Sequence, residues 1–163
     1  AAERLSRLLA DRAQAEVLDA GCGTGLVGAA LAGHGLKTID GIDLSSQMLE
    51  HARAKGIYRA LNKADMTQRL PIQDNSYDAV ICVGTLTEGH VGPEALDELV
   101  RVARPGAPIV VTVLDRIWEP LGYQARVQAL ENNKTARLEE SVPQSVYHTK
   151  ENITCNLAVL RAL

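Results

Sequence analysis

Phenylalanine is absent from the 163 residues, and the only aromatic side chains are four tyrosines and one tryptophan. The core must therefore be filled by Leu, Val, Ile and Ala. The three cysteines, Cys22, Cys82 and Cys155, are odd in number and far apart. They imply neither a disulfide framework nor a zinc site, and a reducing, cytoplasmic setting is the default expectation. His34, His51 and His148 show no cluster and no ligand spacing, so no metal is expected. There is no Lys/Arg block, and the net charge is −3. That argues against nucleic acid as the main partner. No apolar run is long enough to cross a membrane and no signal peptide is evident. Internal repeats and low-complexity tracts are also missing.

A chain of this length suits one domain, residues 1–163, that hides roughly 70% of its unfolded surface. Its organising stretch is Val17-Leu18-Asp19-Ala20-Gly21-Cys22-Gly23-Thr24-Gly25-Leu26. A short apolar run ends at an acid, three glycines follow within five positions, and a helical pattern begins. Strand, glycine turn and helix form the opening unit of a nucleotide-binding α/β domain.

Two ligand frames fit this turn. Gly23-Thr24-Gly25-Leu26-Val27-Gly28 matches G-x-G-x-x-G, the dinucleotide fingerprint, but it starts late after the strand. The other frame, Asp19-x-Gly21-x-Gly23-x-Gly25, puts a carboxylate at the mouth of the turn. An acid there suits a pyrophosphate poorly and a phosphate-free cation well. S-adenosylmethionine has a sulfonium, an ammonium and an adenosine. Here the chain resembles the class I S-adenosylmethionine-dependent methyltransferases, whose first motif reads (V/L)LD-x-G-x-G-x-G. Residues Val17 to Gly25 match it throughout, and the small-molecule, type 11-like branch is the nearest in appearance.

The pattern along the chain predicts an amphipathic helix over 3–13, a strand over 16–19 and a helix over 24–33. A strand over 37–43 follows, then a helix to residue 55 with Ser45 as N-cap and Met48, Leu49 and Ala52 turned inward. A weakly written strand covers 58–64, and a nearly all-apolar strand covers 77–83. The best-marked helix starts at Pro93 and ends at Pro105-Gly106. Residues 107–113 read as a buried strand and 118–130 as one helix. Two more strands are expected, one between 137 and 150 and one over 156–163. Alternating strands and helices imply an α/β fold, a doubly wound, mostly parallel sheet with helices on both faces. The resemblance supplies the strand order 3-2-1-4-5-7-6 with the last strand antiparallel.

Ligands in such sheets bind outside the carboxyl ends of the strands. Three predicted strand ends carry Asp19, Asp43 and Asp65, which would converge on one crevice. The resemblance assigns both ribose hydroxyls to Asp43, with capping of the next helix as its alternative. It assigns the adenine amino group to Asp65, with Met66 and Leu44 against the ring. Asp19 and the amides of Gly21 and Gly23 are matched to the methionine end; Asp19 could instead, or also, hold the glycine turn. Cys22 and Gly25 complete that turn. Val83 and Gly84 are expected beside the sulfonium. Glu88 and His90 are the acid–base candidates nearest the reaction centre, each weighed against an ordinary surface role. Asp115 and Trp118 could line an acceptor pocket.

The function implied is methyl transfer to a small-molecule acceptor. Two other readings stay open: a module that binds the cofactor without turnover, and a dinucleotide-dependent oxidoreductase based on the Gly23–Gly28 frame. The chain lacks an initiator methionine and starts inside a helical pattern, so a lid segment is expected upstream.

Overall fold

The computed structural model describes residues 1–12, 14–89, 91–148 and 153–163. Seven strands form one sheet in the order β3-β2-β1-β4-β5-β7-β6. They are β1 Glu16–Ala20, β2 Thr38–Asp43, β3 Ala60–Lys63, β4 Ala79–Leu86, β5 Pro108–Leu114, β6 Ala136–His148 and β7 Ile153–Ala162. Neighbours from β3 to β5 are parallel. β7 runs antiparallel to both β5 and β6. The fold class and strand order expected from the sequence are both observed.

The helices are α1 Ala2–Leu8, α2 Leu26–Gly33, α3 Ser46–Ala54, α4 Ala95–Val102, α5 Asp115–Trp118 and α6 Tyr123–Asn132. Successive residues of a strand point to opposite faces, so each central strand feeds two cores. On one face, Leu18, Val80, Ile109 and Val111 pack with Leu96 and Leu99 of α4. On the other, Val17, Ile39, Ile81 and Val110 pack with Leu5 of α1 and Leu31 of α2. Burial on both faces is why β4 and β5 read as almost continuous apolar runs.

Several boundaries differ from the sequence pattern. α1 stops at Leu8, because the chain turns twice, through Arg12 N–H to Leu9 O and Ala15 N–H to Arg12 O, to enter β1. α4 starts at Ala95, because Pro93 and Glu94 form a turn before it. The helix expected over 118–130 is two helices. Gly122 breaks it with φ +82°, the left-handed conformation that glycine adopts without strain. β4 starts two residues later than expected and runs three further, past a register shift between Cys82 and Leu86. Ser45 caps α3 as expected, its Oγ accepting the Met48 N–H at 3.3 Å. Leu49 and Ala52 are buried, but Met48 is turned outward.

Candidate functional site

Four chain segments meet at the carboxyl ends of β1, β2, β3 and β4 and, with an apolar rim, enclose a cavity of about 880 Å³. That lies within the size range of small-molecule sites. The first segment is the glycine turn after β1. Gly21, Gly23 and Gly25 have φ of +74°, +52° and +83°, a run that side chains disfavour. The turn is tied to β2. The Gly21 and Cys22 N–H groups both donate to Ile42 O, at 2.8 and 2.9 Å. The Gly23 N–H donates to Asp43 Oδ2 at 2.8 Å. A Cβ on Gly21 would collide with Thr85, whereas Gly23 faces open space.

The second segment is the end of β2. Asp43 lines the cavity, and its Oδ1 accepts the Ser45 N–H at 2.9 Å. Each oxygen has thus taken one backbone amide. A carboxylate offers about four acceptor positions, so Asp43 keeps capacity for two further donors. The third segment follows β3. Asp65 Oδ1 accepts both the N–H and the hydroxyl of Thr67, at 2.9 and 2.7 Å. Those bonds hold its carboxyl below the usual carboxylate range. Ala64, Met66 and Thr67 line the wall beside it.

The fourth segment is the bulged end of β4. Gly84 has φ +77°, and its N–H donates to Thr112 Oγ1 at 3.1 Å. The bulge turns Val83, Gly84 and Thr85 onto the cavity; bulges commonly re-aim side chains beside functional sites. Thr87, Gly89 and Val91 continue that wall. At the rim, Leu26 of α2, Leu44 after β2 and Met48 of α3 remain 70%, 60% and 41% exposed. Exposed apolar side chains gathered at a cavity mouth mark a binding surface.

The structure brings together Gly21, Cys22, Gly23, Asp43, Leu44, Asp65, Met66, Val83 and Gly84. It does not bring in Gly25, which starts α2 and packs toward Tyr58 and Lys55. Nor does it bring in Asp19. β1 runs one residue further than the sequence pattern implied, so Asp19 is not its tip. Asp19 shares the face of Val17, two residues before it, and is 1% exposed beneath the turn. Its Oδ2 accepts the Tyr58 hydroxyl at 2.7 Å, while Oδ1 has no partner among the described residues. Burial pushes the Asp19 carboxyl up to about 6, against the bond from Tyr58 and the nearby Gly28 amide. Two of the three acids therefore face the crevice, and the third supports it from below.

The other candidates lie apart. Glu88 pairs with Arg116 at 3.0 Å on the exposed rim, although its neighbours Thr87 and Gly89 face the cavity. His90 lies outside the described residues. Asp115 accepts the Gln144 N–H at 3.0 Å and ties the start of α5 to β6. Trp118 packs against the α4-side core. Burial lifts the Cys22 thiol to about 12, with Asp19 and Asp43 adding to it, so at neutral pH it is a packed thiol rather than a nucleophile. No metal-ligating cluster occurs among the described residues. Sequence reasoning missed Tyr58, Met48 and Thr85. Met48 stands beside the inward Leu49 in the helical pattern, and no local signal separates the two. A signal for Tyr58 existed in Gly41, a glycine inside a strand, which implies a close neighbour.

Comparison with known proteins bears on this arrangement. A family model described as "Methyltransferase domain" matches residues 18–111. Human methyltransferase-like protein 27 is 41% identical over 97 residues, 59% of this chain and 39% of that protein. Malonyl-[acyl-carrier protein] O-methyltransferase of Pectobacterium atrosepticum is 35% identical over 114 residues, 69% of this chain and 44% of that protein. Ubiquinone biosynthesis O-methyltransferase of Xanthomonas oryzae is 29% identical over 150 residues, 88% of this chain and 58% of that protein. The chain thus spans between 39% and 58% of the length of these relatives. Among solved structures, an S-adenosylmethionine-dependent methyltransferase from Mesorhizobium loti superposes with a TM-score of 0.70. It covers 99% of this chain and 100% of that one at 17% identity, a likeness of fold.

Proposed function

The chain belongs to the class I S-adenosylmethionine-dependent methyltransferases, and from that membership we propose that it transfers a methyl group to a small-molecule acceptor. One observation carries the reading. The cavity over the glycine turn presents Asp43 and Asp65, and no Lys or Arg lines it among the described residues. A pyrophosphate would meet two anions and no counter-charge. A nucleoside that is cationic and phosphate-free meets acceptors for its hydroxyls and its amino groups. The last glycine of the dinucleotide frame, Gly28, also packs against Tyr58 rather than facing the cavity.

The residues fit S-adenosylmethionine by the chemistry of the donor set. Asp43 has two acceptor positions to spare and takes the ribose hydroxyls. Asp65 stands one strand further out, where it takes the adenine amino group. Leu44 and Met66 offer apolar faces to the ring. Gly23 leaves the backbone bare where the methionine end lies along the turn. The Val83 and Gly84 carbonyls are the acceptors for the ammonium. The cofactor, when bound, supplies a methyl group already activated by the positive charge on its sulfur. The chain's own task is then alignment, which can contribute on the order of 7–11 kcal/mol. Val83, Thr85, Thr87 and Val91 form an uncharged wall at the acceptor end. The activities named for two relatives, on malonyl-[acyl-carrier protein] and in ubiquinone biosynthesis, support a metabolite acceptor.

Titration calorimetry with S-adenosylhomocysteine and with NAD tests the reading. We expect the first to bind and the second not to. Asp43→Ala removes two charge-assisted bonds, each worth roughly 1.5–3 kcal/mol, so affinity should fall roughly 100-fold or more. Unchanged affinity in that variant would discard the ribose assignment; NAD binding in place of S-adenosylhomocysteine would discard the function.

A further inference from the structure

We infer that Tyr58 is a positioning residue for the glycine turn, acting through Asp19, and that its ring occupies space which three glycines leave open for it. The inference rests on the cofactor reading above but concerns a residue outside the cavity.

Tyr58 stands in the link between α3 and β3, and its ring slides under the turn. A Cβ on Gly28 would overlap the Tyr58 hydroxyl and ring. A Cβ on Gly25 would lie 3.0 Å from Cε2, and one on Gly41 would lie 2.7 Å from Leu61 Cδ2 and 3.0 Å from both Cys22 Sγ and Tyr58 Cε1. Those glycines come from the start of α2, its first turn and the middle of β2. Of the three, only Gly25 has positive φ. Backbone conformation therefore does not require glycine at Gly28 and Gly41; at Gly28 the tyrosine ring does, and at Gly41 the ring shares that role with Leu61 and Cys22. The ring also bridges two apolar clusters, one holding Val17 and Leu31 and the other holding Cys22, Leu49 and Ala52.

The wedge ends in the 2.7 Å bond from the Tyr58 hydroxyl to Asp19 Oδ2. Every ionisable group around Asp19 bears on what that bond does. Asp43 repels its charge. Cys22 and Cys82 are both thiols held protonated by burial, Cys82 at about 12. Lys55 packs its methylene chain over Gly25. Burial and Asp19 push the Tyr58 phenol above its ordinary value, so it stays a donor. The Tyr58 hydroxyl, which donates to Asp19 and lies against Gly28, is therefore the group bonded to the Asp19 carboxylate, with the Gly28 amide close by. The Gly28 amide belongs to the first turn of α2, where backbone N–H groups lack helical partners. An ionised Asp19 thus holds the Tyr58 hydroxyl beneath Gly28 and Gly25, and so supports the start of α2 and, with it, the turn from Gly21 to Gly25. Removing the hydroxyl leaves burial less opposed. Asp19 then holds its proton to higher pH, and the turn loosens across the neutral range.

The test compares wild type, Tyr58→Phe and Asp19→Asn. Carbon-13 NMR of aspartate carboxyls follows Asp19 from pH 4.5 to 8.5, and amide shifts of Gly21, Gly23 and Gly25 are recorded in the same samples. In wild type the three amides should titrate with Asp19 near pH 6. In Tyr58→Phe both inflections should move up together by about one pH unit, as loss of one hydrogen bond to a charged group implies. In Asp19→Asn the amide inflection should vanish. S-adenosylhomocysteine affinity at pH 6 should then fall about 5-fold in Tyr58→Phe, the ratio of the ionised fractions that a one-unit shift gives, and recover at pH 8.5. Gly28→Ala, which displaces the ring, should reproduce the shift. Equal Asp19 inflections in wild type and Tyr58→Phe, or glycine amides that ignore Asp19, would overturn the inference while leaving the cofactor reading intact. Failure of wild type to bind S-adenosylhomocysteine would overturn the cofactor reading, and the NMR arm would still decide the role of Tyr58.

Discussion

Three aspartates near three strand ends have three different lives. Asp43 and Asp65 sit at the cavity with solvent near them, and each is braced by backbone amides. Asp19 is buried, and its carboxyl rises to about 6 because burial disfavours the charge. Relative to its ordinary value of 3.8, the ionised form is penalised by on the order of 3 kcal/mol in the folded chain. The folded state therefore binds more protons than the unfolded state between those two values, and Asp19 adds stability as pH falls through that window. Asp19→Asn carries no such charge. It should be more stable than wild type at pH 8 by on the order of 1–3 kcal/mol. The difference should close as pH falls to 4, as urea unfolding across a pH series would show. A gap that stays constant with pH would mean that Asp19 does not titrate there. The type and position of Asp19 are plain in the sequence, but its direction is not. The strand needed only one more residue, Ala20, to take Asp19 away from the mouth.

At the scale of elements, the turns and bulges are what bring the site together. The glycine turn is tied to β2 by three amides, two on Ile42 O and one on Asp43. The bulge in β4 does the same work on the opposite wall. Both are written in glycines, and the turn was legible for that reason. The bulge was not, because Val83-Gly84-Thr85-Leu86 has the composition of an ordinary strand end. The break between α5 and α6 also rests on one glycine. Gly122 adopts φ +82°, and a Cβ there would meet only Pro93 Cγ at 3.9 Å. Space is therefore available, and only backbone strain opposes a side chain. Gly122→Ala should cost about 1–2 kcal/mol of stability, read as a lower urea midpoint with an unchanged slope. S-adenosylhomocysteine affinity should stay near wild type, since α6 does not touch the cavity.

Across the whole molecule, the two ends of the sheet divide the labour. The carboxyl ends hold the cavity. The amino ends hold ion pairs: Glu16 with Arg59 and Arg104, Asp78 with Arg104, and Asp40 with Arg59 and the Tyr77 hydroxyl. Arg59 and Arg104 hold the Glu16 carboxyl below its ordinary value. Burial alone would raise Asp78, but the Glu16 amide and Arg104 bring it down. Arg101 lowers Glu98 and Arg161 lowers Glu139. Depressed carboxyls contribute stability above their unfolded values and lose it as pH falls through their folded ones. Stability should therefore hold level or rise slightly from pH 7 to 5, where Asp19 helps, and drop below about pH 4. Thermal unfolding from pH 3 to 8 checks this. High salt should flatten the acid limb by screening the exposed pairs, and it should leave the Asp19 limb in place. No helix among the described residues is long and apolar enough to cross a membrane.

Local chemistry determined what is legible in the chain by itself. Period and punctuation located all seven strands, because apolar runs and the glycines or prolines that end them are near-neighbour effects. The motif from Val17 to Gly25 was legible because its residues are contiguous, and its resemblance to the family's first motif pointed to the ligand class, although its acid lies under the turn and not at its mouth. Tertiary structure alone decided which side chains share a space. It put Asp19 under the turn, drew Thr85 against Gly21, left Met48 on the rim, and set Tyr58 among glycines from α2 and β2. These contacts join residues up to 64 positions apart. Their partners are chosen by how the sheet stacks and where each strand stops, a property of the packed whole that no single stretch of residues carries.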